Sequence, residues 1–282
     1  MESVKNLAPK QTMRSSLPRS RFGYGPSWWG ASAQPSVERE SSYWAITRAP
    51  IPCLVFILPI LLTYEIGVIL VGGESADRVR TGADAWIRRA IGTLGLTDRW
   101  LPALAVVVIL LGWQAFRRES WRFRGAYLAG MAFESVLLAF VLVGLGRLID
   151  LGFDRLDGPT ILDATARETS NSLAPLIGYL GAGVYEEALF RLGLIPTLYA
   201  AARRLLAPEL IAATLAVTGS SVLFSLAHHA GMPGESFTWF AFIFRWVAGI
   251  FFAWVFLTRG FGIAVGTHAI YDVLVGWAGF HF

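Results

Sequence analysis

Charge and cysteine are both scarce in this chain. Asp, Glu, Lys and Arg make up 16% of its 282 residues against 55% hydrophobic, and the mean hydropathy is +0.53. A soluble chain of that length needs more charge to cover its surface, so a polytopic membrane protein is expected instead. The single cysteine, Cys53, excludes an intrachain disulfide and a cysteine-built metal site. It lies in an apolar run and carries no information on redox compartment. No apolar core of roughly 7–15 residues follows Met1, so no cleavable secretory signal is expected and the first membrane helix serves as the insertion signal. No internal repeat is visible.

What the chain does have is long apolar runs. They fall at 51–72, 101–116, 125–149, 173–201, 209–230, 236–257 and 260–280, most of them near the roughly 20 residues a spanning helix needs. The expected fold is therefore an all-α transmembrane bundle of about seven spans, with eight as the alternative, over residues 46–282. Residues 1–45 are polar, without helical period, and read as a disordered tail. Residues 77–93 place Val79, Ala83, Trp86 and Ile87 at helical spacing with arginines around the rest of the wheel, which predicts an interfacial amphipathic helix. Basic residues set the orientation. Lys5, Lys10, Arg14, Arg19, Arg21, Arg39 and Arg48 in the tail, Arg117, Arg118, Arg122 and Arg124, then Arg203 and Arg204, then Arg259 alternate with the acidic stretch 150–168. That alternation predicts the N-terminus inside and the C-terminus outside.

An Asp, Lys or Arg at the centre of a membrane helix costs roughly 2.5–3.5 kcal/mol, so ionisable groups there face a cavity or one another. The candidates are Glu65, Glu134, Glu186, Glu187, Arg191, His228, His229, Arg245, His268 and Asp272. Within GVYEEALFRLGLI, Glu187 and Arg191 are i,i+4 and project about 40° apart at about 100° per residue, so they can pair. Glu186 lies about 100° from Glu187 and is aimed elsewhere. His268 and Asp272 are also i,i+4; the aspartate either orients the imidazole or joins it in holding a water. A structural polar cluster would account for each group singly. A glutamate, two histidines and an aspartate spread over nearby helices are together the ingredients of a buried hydrolytic centre. A carboxylate would act as base, and the histidines would hold the water or stabilise the oxyanion. Two His and one Glu could equally bind a divalent metal such as zinc.

Three motifs then occur in order: Glu186-Glu187-Ala-Leu-Phe-Arg191 as EExxxR, Phe224-Ser-Leu-Ala-His228 as FxxxH, and His268-Ala-Ile-Tyr-Asp272 as HxxxD. Over roughly 173–282 the chain resembles the CPBP intramembrane proteases, the type II CAAX prenyl endopeptidases and their bacteriocin-processing relatives. The resemblance implies a membrane-embedded endopeptidase of the glutamate type, and, for a bacterial chain, residence in the cytoplasmic membrane. Carried over, Glu186 is the general base, His228 and His268 surround the catalytic water or oxyanion, Asp272 completes the polar ring, and Glu187 with Arg191 supports the site. No cofactor is expected; if a metal takes part, Glu186, His228 and His268 would hold it. The expected partners are the bilayer and a membrane-associated protein or peptide substrate, with no nucleic acid; oligomeric state stays open.

Other protease signatures are missing. There is no HExxH, no GxGD to accompany Tyr271-Asp272, and no GxSG around Gly219-Ser220-Ser221. A proton-coupled transporter would predict paired, broken repeats. A catalytically silent membrane scaffold of the same fold is the remaining alternative, because fold does not fix function.

Overall fold

The computed structural model describes residues 42–73, 79–157, 173–230 and 236–277, with the side chains of 154–157 excepted. Nearly all of the tail expected over 1–45, and much of the acidic stretch 150–168, lie outside the described residues. The described chain is helical throughout. A short α1 (Tyr43–Ile46) leads into α2 (Pro50–Gly72), followed by α3 (Gly82–Gly92), α4 (Leu101–Arg117) and α5 (Ala126–Asp157). Next come α6 (Ala174–Glu187), a π-helical segment (Ala188–Leu194) and α7 (Ile195–Arg204), which run on from one another. The chain ends with α8 (Glu209–Ala227), α9 (Trp239–Arg259) and α10 (Phe261–Gly276).

Each apolar run of the sequence contains helix among the described residues. Among the described residues, α2, the Ala126–Phe153 part of α5, α8 and α9 are long and apolar enough to cross a membrane, and α4 and α10 are shorter apolar helices. The run at 173–201 is divided by its π segment. Of residues 77–93, read as amphipathic, 82–92 form α3, whose start is capped by Thr81 accepting from the Asp84 amide, and Val79 lies ahead of the helix. Proline stands in the first turn of α2, α4 and α6, where its missing N–H costs no helical bond. Between α9 and α10 the chain turns on Gly260 alone. Its φ of +99° and the approach of the Thr47 carbonyl, 2.8 Å from where a Cβ would stand, leave room for no side chain.

α6 lies between α2 and α10, and small residues bring the backbones together. Gly181 meets the ring of Tyr64 on α2; Gly183, on the other side, meets α10. A Cβ on Gly183 would stand 2.8 Å from Ala269 Cβ, 2.9 Å from its backbone nitrogen and 3.0 Å from the Val265 carbonyl oxygen. Two of those atoms are main chain and cannot rotate away. Gly183→Ala is therefore expected to push α6 off α10 and cost about 1–3 kcal/mol, as overpacking does. A lowered thermal unfolding midpoint of the detergent-purified protein would report it.

Candidate active site

Glu186 and Glu187 are the last residues of α6, and the wider π turn begins immediately after them. Such segments interrupt α-helices frequently at functional sites. Glu187 and Arg191 are both buried, and Arg191 Nε stands 3.1 Å from Glu187 Oε2. The guanidinium also donates through Nη2 to the Gly249 carbonyl on α9 at 3.1 Å, and its centre lies 4.6 Å from the Phe224 ring centroid and 5.4 Å from that of Phe252. An ion pair this deep needs such additional partners to offset its desolvation.

The second oxygen of Glu187 reaches across to α10. His268 Nδ1 donates to Glu187 Oε1 at 2.8 Å, while the imidazole stacks on Phe252 with centroids 4.4 Å apart at 16°. Glu187 therefore holds Arg191 with one oxygen and His268 with the other. This fixes the His268 tautomer: with Nδ1 carrying a proton, Nε2 is the nitrogen left to face the site. The same holds for His228, which caps α8 and donates through Nδ1 to the Phe224 carbonyl at 2.9 Å. Both free nitrogens face Glu186. Its Oε2 is 3.7 Å from His228 Nε2 and 3.9 Å from His268 Nε2, and it makes no hydrogen bond among the described residues. Asp272 Oδ2 is 3.6 Å from the same His268 nitrogen. A cavity of ≈ 290 Å³ adjoins the group, lined by His228, His268, Asp272 and Arg245 together with the rings of Phe244 and Phe252.

All six residues singled out in the sequence thus meet. The i,i+4 pairing of Glu187 with Arg191 is present, and Glu186 points away from it. The sequence leaves two roles open for Asp272, orienting His268 or joining it in holding a water; the carboxylate on Nδ1 is Glu187, and Asp272 faces Nε2. Ser220, weighed as a possible nucleophile, is buried and donates to the Phe190 carbonyl at 3.1 Å. The sequence offered no signal for Phe252 or Gly249, which touch His268 and Arg191 from an aromatic-rich helix without a motif.

The donor set of two imidazoles and a carboxylate suits zinc in kind. Bonds of about 2.0–2.2 Å in a tetrahedral site bring ligand atoms to roughly 3.3 Å from one another. The observed 3.7 and 3.9 Å are wider, and among the described residues no group of three His, Cys, Asp or Glu is arranged to hold a metal.

Neither a curated protein nor a solved structure matches the chain. A family model does: residues 169–274 match the type II CAAX prenyl endopeptidases described as Rce1-like. That stretch contains Glu186, Glu187, Arg191, His228, His268 and Asp272, and the chain accordingly carries a domain of the Rce1-like type II CAAX prenyl endopeptidase family, a family of proteases.

Proposed function

We propose that the chain is an intramembrane endopeptidase of the glutamate type, hydrolysing a peptide bond in a membrane-associated protein or peptide. The observation that carries the reading is the position of Glu186 Oε2, without a hydrogen-bond partner among the described residues and 3.7–3.9 Å from two imidazole nitrogens. A polar separation beyond 3.5 Å is where a water can stand among the groups, and the proposal places one there. Glu186 takes a proton from that water as its oxygen attacks the scissile carbonyl carbon and the carbonyl electron pair moves onto oxygen. His228, its Nδ1–H committed to Phe224, accepts the water's second hydrogen through Nε2. His268, when it carries a proton on Nε2, donates to the oxyanion, with Glu187 behind it balancing the charge. The tetrahedral adduct collapses as the proton on Glu186 passes to the departing nitrogen, leaving one new carboxyl and one new amino terminus.

The same proposal takes the chain through the bilayer seven times, N-terminus inside, with α6, the π segment and α7 together forming one span and α3 lying at the outer interface. Support comes from ends that this topology puts on one side and that do meet. Tyr43 of α1 donates to Glu134 of α5 at 2.9 Å, Arg259 at the end of α9 pairs with Glu134, and its guanidinium lies 3.5 Å from the Trp44 ring centroid.

The test compares intact masses of membrane-protein termini from cells carrying the wild-type chain with those carrying Glu186→Gln, His228→Ala or His268→Ala. Shortened termini are expected with the wild type alone. Identical termini in all four strains, with the chain's cellular function retained, would discard hydrolysis and leave the scaffold reading.

A further inference from the structure

Glu65, an ionisable residue inside the first long span, takes no part in the chemistry above. It is 2% exposed, and it sits at the centre of a second buried polar network. Tyr185 of α6 donates its hydroxyl to Glu65 Oε1. Two arginines flank the same carboxylate: Arg88 of α3 has Nη2 3.5 Å from Oε1, and Arg80 has Nη1 3.7 Å from Oε2. Both arginines also pair with Asp84, at 2.8 Å each, and Asp84 accepts the hydroxyl of Tyr64 at 2.8 Å. The Tyr64 and Tyr185 rings meet edge to face, with centroids 5.4 Å apart. The network thus runs from α3 through α2 to α6 and ends one residue before Glu186.

Helix geometry gives that ending its meaning. Residues 181 and 185 lie on the α2 side of α6, and residues 183 and 187 on the α10 side. On the α10 side, Gly183 packs against Ala269 and Glu187 holds His268. On the α2 side, Gly181 packs against Tyr64 and Tyr185 is tied to Glu65. Glu186 projects between the two anchored faces, so the rotation of α6 about its own axis sets where its carboxylate falls. A small rotation would alter both of its distances to the imidazoles.

We propose that Tyr185 and Glu65 are a positioning pair, which fixes the rotation of α6 and so the reach of Glu186 to His228 and His268. The inference rests on the hydrolytic reading of that site. It gives a task to α2, α3 and the link between them, whose residues Glu65, Arg80, Asp84 and Arg88 all lie outside the stretch that matches the protease family. Arg80 and Arg88 lock the Glu65 carboxylate; Glu65 locks the Tyr185 hydroxyl. Neither Tyr185 nor Glu65 touches the reacting atoms.

The test uses the full chain in lipid nanodiscs with ¹⁵N-labelled histidine, read by solid-state NMR, and needs no substrate. Glu186→Gln marks the response, shifting the Nε2 resonances of His228 and His268. Tyr185→Phe and Glu65→Leu are expected to shift those same two resonances and to leave His229 in place. Glu65→Gln, which keeps a carbonyl oxygen to accept the Tyr185 hydroxyl, is expected to stay close to wild type. Terminus processing by Tyr185→Phe should slow on the order of 100-fold at saturating substrate, the effect of a misplacement near 1 Å. Unshifted Nε2 resonances in Tyr185→Phe overturn the pairing, and so do shifts that extend to His229. Should Glu65→Leu fail to fold, Tyr185→Phe alone decides. If Glu186→Gln still processes termini, the hydrolytic reading fails, whereas the resonances still report whether the pair positions Glu186.

Discussion

Replacing Glu186 by glutamine is expected to lower kcat by about 10²–10⁴-fold, the range a positioned general base contributes, with an unfolding midpoint indistinguishable from wild type. The two halves of this expectation have separate grounds. Loss of rate follows because the amide cannot take a proton from a water held between two imidazole nitrogens. Retention of stability follows because Glu186 Oε2 has no hydrogen-bond partner among the described residues and its side chain is 15% exposed, so the exchange breaks no bond to that oxygen. The neighbouring substitution behaves differently. Glu187 spends one oxygen on Arg191 and the other on His268, so neutralising it disturbs packing and imidazole orientation together. Measuring kcat and the thermal midpoint side by side therefore assigns the base: only Glu186 should separate the two quantities. A Glu186→Gln protein that hydrolyses at the wild-type rate would move the base elsewhere in the cluster, with Asp272 next to be tried.

How much of this could be read from the chain alone follows from the range over which each interaction acts. The helices were legible because apolar runs long enough to span a bilayer have few other ways to satisfy their backbone polar groups. The pairing of Glu187 with Arg191 was legible because four residues bring side chains onto one helix face. The contact of Glu187 with His268 spans 81 residues and that of Tyr185 with Glu65 spans 120, so no periodicity announces either. Sequence reasoning consequently left the role of Asp272 open between orienting His268 and sharing a water with it, and had no means of finding Glu187 on the facing helix. The π segment was equally hidden. Residues 188–194 read ALFRLGL, an ordinary apolar helical stretch, and only packing against neighbouring helices widens the turn. Glu65 was conspicuous as a charge in a span, but its purpose depends on Tyr185, and a tyrosine in an apolar helix attracts no notice.

Arg191→Met is expected to destabilise the fold by about 3–5 kcal/mol, the cost of leaving one partner of a buried ion pair uncompensated. Arg191 and Glu187 are 1% and 0% exposed, so Glu187 would keep its charge with only His268 to face it. That loss is comparable with the whole stability of many domains, so the single variant should accumulate poorly in membranes and unfold early in detergent. Adding Glu187→Gln to Arg191→Met removes the stranded charge, and the double variant should recover most of the lost stability. Recovery stops short of complete because the Gly249 carbonyl loses the donor it had in Arg191 Nη2, and the Phe224 and Phe252 rings lose the cation between them. An unsatisfied buried acceptor of this kind costs about 1–3 kcal/mol. Hydrolysis should not return with the fold, since an uncharged residue 187 can no longer balance a proton on His268. The comparison thus separates what Arg191 does for the helices from what Glu187 does for the imidazole. A double variant no more stable than Arg191→Met alone would mean that the guanidinium stabilises the bundle through its aromatic and carbonyl contacts rather than through its partner carboxylate.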